Sequence, residues 1–340
     1  MILENETKLN FNDVLIVPKR STLKSRSEIN LFRSFKFRWS PNIWEGVPIM
    51  ASNMDTVGTF EMAKKLRNYF MPTVVHKHYD IKEWKGKGDI DPNFLIPSLG
   101  AQDEDLLKFK EINKLYSKNP LPFLCIDVAN GYGEYLADYI ARVRNEFPHT
   151  ILIAGNVVTR EMTEQLILSG ADIVKVGIGS GSACSTTDIT GVGYPQFSAI
   201  IECADGAHGL GGHIISDGGC RKVGDIAKAF GAGADFVMLG GMLAGHDESG
   251  GELIKKDYKS FKKFYGMSSE VANDKYNGGL KEYRASEGKV LEVPYKGPVE
   301  DTIREILGGI RSTCTYIGAK NIKEMPKRAT FIKVNSHNYQ

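Results

Sequence analysis

The sequence predicts an α/β chain closed into one (β/α)8 barrel, and three observations carry that prediction. Short apolar, β-branched runs recur eight times between residues 48 and 239. Segments of helical period separate most of them, the alternation that builds parallel βαβ units. Polar and glycine residues cluster just past the carboxyl ends of the runs, where a TIM barrel gathers its working residues on one face. Eight units within about 200 residues favour closure, with an open doubly wound sheet as the alternative.

In chain order, residues 1–47 read as an N-terminal leader, with a short strand at 11–18. The basic stretch behind it, Lys19, Arg20, Lys24 and Arg26, reads by itself as a solvated turn. Residues 48–241 hold the eight βα units. Their runs fall at 48–51, 73–76, 95–99, 123–127, 150–154, 173–176, 213–217 and 236–239, and their helical segments at 60–68, 104–116, 134–147, 159–169, 196–204 and 223–229. The polar groups beyond the runs are Ser52-Asn53-Met54-Asp55, Lys77-His78, Asp127, Asn156, a glycine loop after Val176, Asp217-Gly218-Gly219 and Gly240-Gly241. Residues 242–299 then separate the eighth run from a last helix at 300–307. Connections usually take about 4–6 residues, so this stretch reads as an active-site lid, with Gly250-Gly251 and Gly278-Gly279 as candidate hinges. The last helix and a C-terminal tail occupy 300–340 of this single domain.

The glycine loop is the chemical centre of the chain. Gly177, Gly179 and Gly181 let backbone approach a ligand closely, and Cys184 follows among Ser185, Thr186 and Thr187. A thiolate is a strong nucleophile, and neighbouring hydroxyls offer proton relays. A small buried hydrophobe is the alternative reading of such a cysteine. Loops after the seventh and eighth strands of a barrel commonly hold phosphate on backbone N–H groups, and the two Gly-Gly pairs, Gly218-Gly219 and Gly240-Gly241, occupy those places. Asp217 would repel phosphate but accept from ribose hydroxyls, so a phosphorylated, ribose-bearing substrate is the expected class; ligand-free tight turns are the alternative. Within the lid, Glu287 is a candidate proton-handling carboxylate, or simply a solvated one.

Composition excludes several classes. A net charge of +2 and a pI of about 8.1 give no basic footprint for nucleic acid. No apolar run approaches the roughly 18 residues of a membrane helix. Neither the N-terminus nor His337-Asn338-Tyr339-Gln340 carries a targeting signal. The five cysteines are scattered, without metal-ligand spacing, as in a reducing compartment. The expected setting is the cytosol.

Five stretches, 53–62, 126–132, 191–196, 283–288 and 307–316, carry a resemblance covering residues 8–334: the chain resembles the IMP dehydrogenase/GMP reductase family. Two features are similar to its reductase branch. No regulatory domain intervenes between Tyr79 and Leu95, and the lid carries Tyr283-Arg284 rather than the Arg-Tyr order of the dehydrogenases. An IMP dehydrogenase lacking its regulatory insert is the alternative.

The resemblance implies NADPH-dependent reductive deamination of GMP to IMP and ammonia, in purine interconversion and salvage. Cys184 would form a covalent thioimidate, with Thr186 and Glu287 passing protons. It implies nucleotide binding by Asp217, Gly218, Gly219, Gly240, Gly241, Gly266, Met267 and Ser268, with the base at Arg284, Ala285, Ser286, Glu287 and Gly288. It places NADPH on Lys77, Asp127, Val128, Ala129, Ile178, Gly179, Met267, Tyr283 and Arg284. A neighbouring subunit would add Ser25, Arg26, Ser312, Thr313, Cys314 and Thr315, implying a homotetramer. A monovalent cation, potassium, is implied on carbonyls of Gly179, Gly181 and Cys184, with Thr187 completing the set. Ser180 and Thr187 stand where that family commonly has proline and arginine.

Overall fold

The computed structural model describes Met1 and residues 3–335; the C-terminal quartet read above for targeting lies outside the described residues. Eight parallel strands close into a barrel: Ile49–Ala51, Thr73–Val75, Leu95–Leu99, Phe123–Asp127, Ile151–Val157, Ile173–Val176, His213–Asp217 and Phe236–Leu239. The eighth pairs with both the first and the seventh, which completes the ring.

Period two along each strand sorts the side chains. Phe123 and Cys125, Ile151 and Ile153, Ile173, Ile215, Phe236 and Met238 fill the interior, while Leu124, Leu152, Val174, Ile214 and Val237 meet the surrounding helices. The helices stand within a residue or two of the expected spans, except that Gln196–Gly209 runs five residues longer than its apolar core.

The leader is more structured than the sequence reading. Only Val14–Ile16 of the expected strand is extended, preceded by a 3-10 turn, Phe11–Asp13, and it pairs antiparallel with Phe331–Lys333. An unforeseen hairpin, Arg33–Lys36 with Ile43–Gly46, closes the amino end of the barrel. Its Phe35, Phe37 and Trp44 join the interior cluster, with Phe35 stacked on Phe236 at 4.4 Å.

The last helix extends to Ile317, ten residues past the expected end. Gly308-Gly309 does not break it. Ile303, Ile306, Leu307, Ile310, Cys314 and Ile317 keep one buried face, and a Cβ on Gly309 would lie 2.4 Å from Val223, so the glycine permits close packing on the helix Val223–Gly231. Residues 242–299 are likewise not a structureless loop. They contain an antiparallel sheet of Leu253–Lys256, Lys259–Tyr265 and Val290–Pro294 and a helix, Glu270–Asn277.

Candidate active site

The sixth barrel strand ends at Val176, and the glycine loop turns at Ser185 into a short helix, Thr186–Thr190. That turn sets Cys184 beside Thr186. The Cys184 thiol donates to Thr186 Oγ1 at 3.3 Å, and the Thr186 hydroxyl donates to Glu287 Oε2 at 2.8 Å. A hydroxyl donates once and accepts through its lone pairs, so the three groups form a continuous path from sulfur to carboxylate.

Backbone pairing assembles this path. The Ser185 amide donates to the Glu287 carbonyl at 3.0 Å, the Lys289 amide to the Ala183 carbonyl at 2.8 Å, and the Glu287 amide to the Ser268 carbonyl at 3.2 Å. Cys184 and Gly288 face each other across an antiparallel bridge. The segments 183–185, 266–269 and 287–289 are therefore held in register, bringing together the expected catalytic trio and part of the expected base-binding stretch. Arg284 and Ala285 stay exposed, outside this zipper.

Asp217 approaches the same loop from the seventh strand. Asn156 Nδ2 donates to its carboxylate at 2.8 Å, Ser180 Oγ donates to its carbonyl at 3.1 Å, and the Gly219 amide donates to the Ser180 carbonyl at 2.9 Å. A cavity of about 600 Å³ adjoins Gly241 and Ser182 and is walled by Phe264, with Arg221, Lys222 and Lys296 also lining it. Cys184 does not line it, so the cavity belongs to the paired-glycine end of the site. These three cations were not foreseen, although Arg221-Lys222 stands directly after Gly218-Gly219-Cys220.

Lys175 was also missed. It is 2% exposed, inside the barrel mouth, with its ammonium bonded to Asp127 and 3.3 Å from Asp217. A lysine at an inward position of an otherwise apolar run was the available signal. Partial burial would raise Asp127, but Lys175 and the Asn53 amide hold its carboxyl below the usual range.

The expected cofactor residues fall in two places. Asp127 ends the fourth strand, Lys77, Val128, Ala129, Ile178 and Gly179 follow the second, fourth and sixth strands, and Tyr283, from the segment 242–299, is 81% exposed with the Arg284 guanidinium 5.8 Å from its ring centre. Ser25 caps the 3-10 turn Arg26–Glu28, which packs on the helix Glu300–Ile317 that carries 312–315. There Ser312, Thr313 and Thr315 donate to their own helix at 3.0, 3.2 and 2.7 Å, and Cys314 is buried. No hydrogen bond joins this pair to the Cys184 path among the described residues. At the expected cation loop, the Gly181 carbonyl accepts from the Cys184 amide and the Thr187 carbonyl from the Gly191 amide, both at 3.1 Å, leaving each a second lone pair.

A family model described as IMP dehydrogenase / GMP reductase domain matches residues 100–340. The chain is 60% identical over 333 residues to GMP reductase 2 of Homo sapiens, an alignment covering 98% of this chain and 96% of that one. It is 59% identical to GMP reductase 2 of Mus musculus with the same coverage. To GMP reductase of Vibrio parahaemolyticus it is 58% identical over 338 residues, 98% of this chain and 97% of the other.

Proposed function

The chain belongs to the IMP dehydrogenase/GMP reductase family and is an oxidoreductase, and from that premise we propose that it converts GMP to IMP and ammonia with NADPH as hydride donor and Cys184 as nucleophile. The observation that carries the chemistry is the unbroken path Cys184–Thr186–Glu287. Sulfur adds to C2 of the guanine, and the C2–N bond breaks after the amino group takes a proton relayed through Thr186. Ammonia departs, and a thioimidate on Cys184 remains. NADPH, when bound, would supply the hydride that C2 takes up; the C–S bond then breaks, giving IMP and the free Cys184 thiol. Covalent capture divides a difficult amine displacement into two steps, and the relay keeps nitrogen from leaving as an anion.

Asp217 suits ribose hydroxyls, and Ser182 with the cations of the adjoining cavity suits a 5′-phosphate. The exposed Tyr283 ring and Arg284 suit the cofactor, and Ser25, Arg26 and 312–315, grouped on the outside of the barrel, suit one reaching across from another copy in a homotetramer. The free lone pairs of the Gly181 and Thr187 carbonyls suit a potassium ion, which would stiffen the loop bearing Cys184. Among the described residues no helix is long and apolar enough to cross a membrane, in keeping with a cytosolic salvage enzyme.

The test mixes purified protein with GMP and NADPH in potassium buffer and follows nicotinamide absorbance and ammonia, beside Cys184→Ala. GMP-dependent oxidation with stoichiometric ammonia, absent in the variant, is the expected result. NADH formation from IMP and NAD, without reaction of GMP, would instead identify a dehydrogenase.

A further inference from the structure

The inward side chains at the carboxyl end of the barrel are arranged around one buried lysine. Asp127, Gly155 and Lys175 occupy one row across the fourth, fifth and sixth strands, each paired with the next. Gly155 leaves the middle of this row open: a Cβ there would lie 2.7 Å from Lys175 Cβ and 2.6 Å from its carbonyl oxygen. Through that gap the Lys175 ammonium bonds Asp127 Oδ1, and it lies 3.2 Å from Asn53 Oδ1 and 3.3 Å from Asp217 Oδ2. Asn53 Nδ2 donates to the other oxygen of Asp127 at 2.9 Å, and Asn156 holds Asp217.

The two carboxylates are partly open to solvent, 29% and 21% exposed, while the ammonium between them is closed off. A buried ammonium without counter-charge would shed its proton; two flanking carboxylates keep it charged, and it in turn holds the Asp127 carboxyl below its usual range. The other titratable groups facing this cluster include the Cys125 thiol, pushed up to about 12 by burial, Lys77, whose charge acts on Asp127, and the Cys220 thiol, raised by burial and by Asp225 and Asp217.

We propose that Lys175 is the shared positioning residue of the two half-sites: its one ammonium fixes Asp127, on the cofactor side, and Asp217, on the nucleotide side, so affinity for both ligands depends on it. The proposal rests on the functional reading above, which assigns those sides. Lys175 itself touches neither ligand. Its loss therefore acts through two carboxylates at once, which a contact confined to one ligand would not do. Without the ammonium, Asp127 and Asp217 lose the one charge that both carboxylates face.

The experiment uses Cys184→Ala protein, in which GMP and NADPH cannot react, and measures the binding of each ligand separately by calorimetry at about pH 8, where the ligand phosphates are fully ionised. Adding Lys175→Met is expected to weaken GMP and NADPH each by roughly tenfold relative to the starting protein. Should Lys175→Met fail to fold, Asp127→Asn in the same background serves. It keeps a neutral ion pair around Lys175 yet is expected to weaken GMP, on the far side, by about threefold, because the ammonium settles on Asp217. Unchanged affinity, an effect on one ligand alone in Lys175→Met, or no effect on GMP in Asp127→Asn overturns the proposal. Failure of the Cys184→Ala protein to bind either ligand overturns the functional reading, and the proposal with it.

Discussion

Thr186 stands between sulfur and carboxylate, and its position makes it separable from both. Thr186→Val preserves shape and removes the hydroxyl that accepts at 3.3 Å and donates at 2.8 Å. General acid–base help is worth about 10²–10⁴ in rate, so kcat should fall by about that factor while GMP binding holds. Glu287→Gln should cost as much, and the double variant little more, because both interrupt one path. Additive losses in single-turnover kinetics would show that Thr186 and Glu287 act separately. At this scale the sequence was informative where chemistry demands unusual residues: a cysteine among glycines and hydroxyls is visible in one dimension. Lys175 escaped because its partners lie 48 and 42 positions away, at Asp127 and Asp217, and only barrel closure brings them together.

The segment 242–299, expected to act as a lid, has its own anchor. Tyr265, Tyr276 and Lys275 all donate to Asp55 Oδ2, at 2.6, 2.7 and 2.9 Å, and the His78 ring stacks on Tyr276 at 3.5 Å. Asp55 follows the first barrel strand, so three groups of that segment converge on one fixed carboxylate. Burial drives the neighbouring His76 and His78 down to about 4, which leaves both rings uncharged near neutral pH. Asp55→Asn keeps the volume but loses the charge that Lys275 meets. Amide exchange across 253–294 should accelerate, and kcat/KM should fall by roughly tenfold, with the barrel amides unaffected. Unchanged exchange in that segment would remove Asp55 as the anchor. The sequence marked 242–299 by length but hid its sheet. Leu253–Lys256 and Val290–Pro294 are short and half-exposed, so their alternation is faint, and their partner Lys259–Tyr265 carries four lysine or serine positions among its seven residues. The long helix was cut short for the opposite reason: Gly308-Gly309 looks like a stop until Val223 is seen packed against it.

For the whole molecule, the two ends of the barrel do different work. The carboxyl end holds the site; the amino end is sealed by the aromatic hairpin, which the sequence alone did not reveal because Phe35, Phe37 and Trp44 find partners only on distant strands. A charged knot fastens that seal. Asp235, 4% exposed, accepts from Arg33 of the hairpin at 3.2 Å, from His208 at 2.7 Å and from the Ile214 amide at 3.1 Å, with His213 Nδ1 at 3.4 Å, while His213 Nε2 meets the Lys36 carbonyl at 2.9 Å. Burial alone would raise Asp235 and lower His213; their mutual attraction and hydrogen bonds win, holding the carboxyl well below its ordinary 3.8 and lifting the imidazole above its ordinary 6.5. A depressed carboxyl stabilises above its unfolded value and loses that as pH falls through the folded one. A raised imidazole stabilises below its unfolded value and loses that as pH rises through the folded one. Both contributions are complete between 3.8 and 6.5. Asp235→Asn should therefore cost about 3 kcal/mol in that window and less above it, as His213 in the parent gives up its proton while Arg33 stays charged. Denaturant midpoints of parent and variant across pH decide the matter: a gap that stays level from about pH 5 to about pH 9 would mean that His213 stays neutral and that Arg33 alone ties the hairpin to the barrel.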